Sequence, residues 1–231
     1  MKITKSILFI FLITLITKNS FAQNDPSDEF GAWYIFATNN KITDKFSIQA
    51  QTQFRYFELT SEIQQFKIRT SGTLRIMPGL RVAVGYAYFR NDFSYQSTTP
   101  AAFDEHRIVE DILFDHNIGK VKVFQRARLE NRFIVRNGDT DFRNWYRHEA
   151  KLVYPINEEW SIDLYDEIWL NIGDEPTFAQ NWLGTGVSYK ISEAFKARLG
   201  YQRIHLDGPD FDRLIVGLTL TNDFRKKEDN Q

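Results

Sequence analysis

The sequence predicts an all-β chain, a transmembrane antiparallel up-and-down β-barrel of about 10 to 12 strands placed after a cleaved signal peptide. Three observations carry that prediction. An apolar run stands behind two lysines at the amino terminus. Long segments alternate apolar and polar residues with the period of a strand. One face of those segments collects arginine and lysine, while the other collects Val, Ile, Leu, Phe and Tyr.

Lys2 and Lys5 precede the apolar run 7–16 (ILFIFLITLI), and Ser20, Phe21 and Ala22 supply a small-x-small cleavage site. Residues 1–22 are therefore expected to be a secretory signal peptide, 23–224 the barrel, and 225–231 a polar, disordered tail at its periplasmic end. The implied location is the outer membrane of a Gram-negative bacterium. With no Cys in the chain, neither a disulfide framework nor a lipoprotein anchor is expected. Removing Lys2, Lys5 and Lys18 from the formal net charge of −1 leaves about −4, a balance that points away from nucleic acid. No later stretch offers the roughly 18 consecutive apolar residues of a spanning helix. The aromatic content of 15% sits within and at the ends of the alternating segments, as in barrels that meet a membrane interface.

In chain order, segment 30–38 (FGAWYIFAT) is aromatic and apolar on both faces and has the least clean pattern. Segment 45–56 alternates Phe46, Ile48, Ala50, Thr52, Phe54 and Tyr56 against Ser47, Gln49, Gln51, Gln53 and Arg55. Segment 65–76 follows the same rule, and Pro78-Gly79 then turns the chain into a return strand. That strand has small residues (Ala83, Gly85, Ala87) on its second face, where a group could approach the wall closely. A polar loop is expected from Asn91 to about Glu105. The remaining segments are 107–115, 120–134, 142–154, 160–170, 181–190, 195–203 and 213–224. Short turns (HNIGK, PINEE, ISEA) alternate with longer connections (RNGDTD, NIGDEPTFAQ, HLDGPD), as in barrels with periplasmic turns on one rim and surface loops on the other. Bacterial single-chain barrels have an even strand count. The expectation is therefore ten spanning strands with 30–38 as a partial strand, cap or lumen insert, or twelve if one more strand exists.

Polarity fixes which face looks inward. An Arg facing lipid at mid-depth costs about 2–4 kcal/mol. Segment 120–133 (KVKVFQRARLENRF) would incur that cost at Arg126, Arg128 and Arg132 together, so its charged face is assigned to the lumen. The same reasoning places Arg55, Lys67, Arg69, Arg107, Asp111, Glu130, Arg147, Glu149, Lys151, Glu167 and Arg198 inside, with Arg75, Asp163 and Lys196 on the same faces. Basic residues outnumber acidic ones there about two to one, and some must pair, because unpaired charges in a narrow low-dielectric space are costly. Gln125 and Asn131 break the pattern on the lipid face.

Several short motifs recur in order: Phe30-Gly31-x-Trp33, Glu105-x-Arg107, Arg126-x-Arg128-x-Glu130-x-Arg132-Phe133, Tyr146-Arg147 leading to Tyr154-Pro155, Tyr165-Asp166-Glu167 and Gly200-Tyr201. In these the chain resembles the outer-membrane barrel proteins catalogued as domain of unknown function 2490. It departs from the expected pattern after Asn181, where Trp182 stands in place of an Arg. The resemblance implies a barrel at the outer membrane and supplies no activity.

Three functions follow as expectations. One is a structural or interaction barrel, its interior plugged by salt bridges and its loops free to act. The second is a narrow anion-favouring pore or small-solute channel, since rings of Arg and Lys select anions. The third and remotest is an outer-membrane hydrolase using His106, beside Asp104 and Glu105, or His205, near Asp207 and Asp210. A non-enzymatic protein is expected, with no cofactor and no metal. Its partners would be outer-membrane lipids, the outer-membrane assembly machinery and possible small anionic solutes.

Overall fold

The period-two alternation becomes eleven strands in the computed structural model, which describes residues 25–225 apart from Thr98 and Pro100. The expected signal peptide and all of the expected polar tail but Arg225 lie outside the described residues. The strands are β1 (Phe30–Lys41), β2 (Phe46–Tyr56), β3 (Ile63–Met77), β4 (Leu80–Asn91), β5 (Phe103–Ile118), β6 (Val121–Arg136), β7 (Asp139–Pro155), β8 (Trp160–Ile172), β9 (Phe178–Lys190), β10 (Phe195–Leu206) and β11 (Asp210–Asp223). Each pairs with its chain neighbour in antiparallel fashion, and β1 pairs with β11 to close the barrel.

The closing seam corrects two expectations. Segment 30–38 is neither cap nor insert: it is part of a full wall strand, and the strand count is odd. A meander with an odd number of strands brings its first and last strands together pointing the same way, so the β1–β11 ladder is parallel, running from Phe30 opposite Asp212 to Lys41 opposite Asp223. Phe224 N–H continues it to the Lys41 carbonyl at 2.9 Å. Arg225, expected in a disordered tail, donates instead to Asp223 and Asp44.

Two connections are also shorter than expected. RNGDTD contracts to a two-residue turn, with Asn137 and Gly138 at φ 52° and 91°. Positive φ at both central residues matches the twist of the flanking strands. The loop after β4 ends before Phe103, so Glu105 lies within β5. The chain turns at one rim, here the lower, through 42–45, 78–79, 119–120, 156–159 and 191–194, and at the upper rim through 57–62, 92–102, 137–138, 173–177 and 207–209. On the upper rim the first two loops are tied together. Tyr95 donates to Glu58 at 3.0 Å, Gln96 N–H donates to Glu62 at 3.1 Å, and the Phe57 and Tyr95 rings meet edge-on.

The outer surface is apolar at Phe54, Ile68, Val84, Ile112, Leu164 and Leu199, all exposed. The exceptions include Glu110 on β5 and Asp166 on β8, the latter accepting from Asn181 at 3.2 Å. The buried core lies inside the barrel, and much of it is charged.

Candidate functional site

The register of β5 to β8 determines the site. Arg128 stands opposite both Asp111 and Arg147, Arg126 stands opposite Glu149, and Glu149 opposite Glu167. All point inward, because strands place every second side chain on the same face. Their long side chains therefore converge on one level of the lumen.

Glu130 is the hub of this convergence. It accepts from Arg107 at 2.7 Å and Arg147 at 2.6 Å, with Arg128 at 3.5 Å. Glu105 takes the Nε and Nη2 edge of Arg107 at 2.8 and 3.0 Å, and Arg132 approaches the same carboxylate. Asp111 takes the corresponding edge of Arg128 at 2.6 and 2.9 Å and has Arg69 at 3.6 Å. Glu167 holds Arg147 at 3.0 and 2.8 Å and, with Glu149, accepts from Arg126 at 2.7 Å. Six arginines and five carboxylates thus form one connected belt, most of it almost fully buried. Two-pronged guanidinium–carboxylate contacts of this kind are the strong form of the ion pair, and low dielectric makes an unpaired member expensive.

Outside the belt, Arg198 grips Asp163 at 2.9 and 2.7 Å, with Lys151 at 3.4 Å. The wall beneath is cut away to make room. A Cβ on Gly186 would lie 2.6 Å from the Arg198 guanidinium, and one on Gly184 would lie 2.3 Å from the Tyr165 ring. Arg55 and Lys67, on the opposite wall, have no carboxylate within ion-pair distance among the described residues. Arg55 instead donates to Gln53 and lies 3.8 Å from the Trp33 ring centroid, and Lys67 donates to Gln51 at 3.1 Å. Arg75 and Lys196, also placed in the lumen by the alternation, sit exposed near the lower rim.

The belt level divides the lumen. A lower chamber of about 330 Å³ is walled mainly by Gln, Arg and Lys. An upper chamber of about 410 Å³ is walled by aromatic and aliphatic side chains in equal number with polar and charged ones. Trp33, Arg55, Lys67, Arg147 and Trp182 line both and form the layer between them. Trp182 is packed 4.3 Å from Trp169 and 5.1 Å from Trp33, and Arg147 lies 3.3 Å from the Trp169 ring centroid. Trp145 completes the cluster 5.0 Å from Trp169.

Glu105, Trp33, Trp145, Trp169 and the wholly buried Arg213 also face the lumen, though the sequence pattern did not place them there. Glu105 was legible, since it extends the Arg107, Val109, Asp111 alternation by one step. The tryptophans were not, because an inward apolar residue contradicts a rule that assigns every apolar face to lipid. Of the histidines, His205 lies 2.6 Å from Asp210, which also pairs with Arg203, and His106 lies 2.5 Å from the Tyr86 hydroxyl on the outer face. Neither is hydrogen-bonded to a serine or threonine hydroxyl among the described residues.

A search of curated proteins returns no match. A family model described as "Protein of unknown function (DUF2490)" matches residues 30–214. That interval runs from the first residue of β1 into β11 and includes every member of the belt, so the chain belongs to the DUF2490 family.

Proposed function

We propose that this protein is an outer-membrane barrel, exported by its amino-terminal signal peptide, that serves as a structural or interaction barrel with a locked lumen. The observation that carries the reading is the buried belt, in which six arginines from β3, β5, β6 and β7 are matched to five carboxylates from β5, β6, β7 and β8. About eight strands enclose an interior that side chains just fill. Eleven enclose more, and here guanidinium groups and tryptophans occupy the layer between the two chambers. The apolar outer wall supports a lipid environment. Glu110 and Asp166 are exceptions of the less costly kind, since acidic groups on a lipid face cost less than Arg or Lys. By the pattern of short turns, the lower rim faces the periplasm and the clasped loops of the upper rim face outward.

Recording from purified protein in planar bilayers tests this. A locked lumen gives no porin-like conductance steps. Regular steps with anion preference would establish the second reading, an anion-favouring passage, for which Arg55 and Lys67 at the dividing layer are the supporting observation.

A further inference from the structure

The upper chamber combines two chemistries on separate surfaces. Its sides carry a broad apolar surface, Phe57, Phe89, Trp145, Trp169, Ile204 and Phe211, beside polar groups such as Gln65 and Asn91. Its floor carries Arg55 and Lys67, which have no carboxylate partner among the described residues, while the Arg107 and Arg147 beside them are already bound to Glu105, Glu130 and Glu167. Its wall also holds the fully buried Arg213, which donates only to the Glu29 and Asp212 carbonyls and keeps Nε and Nη2 without an acceptor. Arg55 uses Nε and Nη2 on Gln53 alone. In the same lumen that edge of Arg107, Arg128, Arg147 and Arg198 is in each case set against a carboxylate. An amide oxygen is a weaker neutral substitute. The donor excess reaches the walls as well: the indole N–H groups of Trp33 and Trp169 are buried without an acceptor. Gln65 and Asn91, bonded to each other, leave one donor and one acceptor over whichever way their amides are turned.

A purely apolar guest would leave the floor cations uncompensated, and a bare inorganic anion would leave the aromatic walls unused. We propose that the upper chamber binds a small amphiphilic organic anion, its flat apolar body between Trp145, Trp169 and Phe57 and its carboxylate on Arg55 and Lys67. The volume, about 410 Å³, falls in the range of small-molecule sites. The polar end enters first and the body follows, because the cations lie at the bottom and the mouth is framed by Phe57, Phe93 and Pro26. The proposal uses the belt of the preceding reading only as the chamber floor.

Calorimetric titration of the full chain in detergent tests it, with 1-naphthoate as the probe, 1-naphthalenemethanol as the uncharged analogue, acetate as the head alone, and micelle heats subtracted. Naphthoate binds saturably at one site, the alcohol binds about tenfold or more weakly, and acetate gives no measurable heat. Arg55→Gln weakens naphthoate by about tenfold and leaves the alcohol unchanged. Lys67→Gln makes the same comparison should Arg55→Gln fail to fold, and the wild-type ligand series decides independently of both. Equal affinity for acid and alcohol, or no saturable binding of either, overturns the proposal. A barrel that conducts and also binds naphthoate would overturn the locked-lumen reading and leave this one standing.

Discussion

Glu130 holds three guanidinium groups contributed by β5, β6 and β7. Replacing it by Ala leaves Arg107, Arg128 and Arg147 crowded together with one carboxylate fewer in a space from which water is largely excluded. Breaking a buried pair from one side costs about 3–5 kcal/mol. Glu130→Ala is therefore expected to lower the urea unfolding midpoint of the vesicle-inserted barrel by a corresponding amount. Arg81→Ala removes a 2.6 Å pair with Asp115 that is partly open to solvent at the lower rim, and is expected to cost less than about 1 kcal/mol. Similar midpoints for the two variants would show that the belt does not hold the fold. At this scale the sequence was informative about identity and much less so about pairing. Alternation places Arg126, Arg128, Glu130 and Arg132 on one face, but which carboxylate each arginine meets depends on the inter-strand register. Trp182, where the family pattern leads one to expect an Arg, shows the limit most clearly. Another cation there would stand opposite Glu167, which already holds two guanidinium groups, and would add like charge beside Arg147 and Arg55, whereas the indole, 5.4 and 5.6 Å from those two, offers each of them a ring.

β1 was the element hardest to read, and the reason is physical. Its inward residues Trp33 and Ile35 pack against Trp182, Ile204 and Ile215 in the apolar part of the lumen, while Tyr34 and Phe36 look outward, so neither face is polar. A lumen of mixed character erases the alternation that identifies a wall strand. The motif Phe30-Gly31-x-Trp33 has a direct local cause. A Cβ on Gly31 would lie 2.4 Å from the Tyr56 carbonyl, 2.6 Å from that of Phe57 and 2.9 Å from Arg213 Cδ. Gly31→Ala must push backbone aside at the seam, an overpacking cost of about 1–3 kcal/mol. A lowered unfolding midpoint with faster exchange of the β1 amides is expected, and unchanged exchange there would count against it. The clasp between the upper-rim loops responds to acid. The hydroxyl of Ser61, and secondarily those of Tyr95 and the amide of Gln96, hold the Glu58 carboxyl below its usual range. A lowered carboxyl contributes stability above the unfolded value, about 4.3, and loses it as the pH falls through the folded one. Amide exchange in 57–62 and 92–97, corrected for intrinsic rate, is expected to rise below about pH 4 in the native chain and to lose that pH dependence in Glu58→Gln. A native profile flat across that range would refute the link.

At the scale of the whole molecule, closure, strand directions and the charged interior were legible because all three follow from one periodicity. The odd count was not, because it depends on the single segment whose periodicity fails. Nor was the division of the lumen into a polar and an aromatic chamber, which arises from where the tryptophans of β1, β7, β8 and β9 meet across the barrel. The parallel seam has a consequence for sidedness. A barrel with an even number of crossings leaves both of its ends on the side from which it was delivered, but eleven crossings leave Phe30 on the upper rim and Asp223 on the lower. If the barrel sits in the outer membrane as proposed, insertion must carry the segment ahead of β1 through the membrane, so that this end is presented to the cell's surroundings while the other stays in the periplasm. An epitope placed just ahead of Asp25 is expected to bind antibody on intact cells, and one placed after Arg225 only once the outer membrane is permeabilised. Labelling of both, or of neither, before permeabilisation would mean that the seam forms with an even number of crossings in the cell.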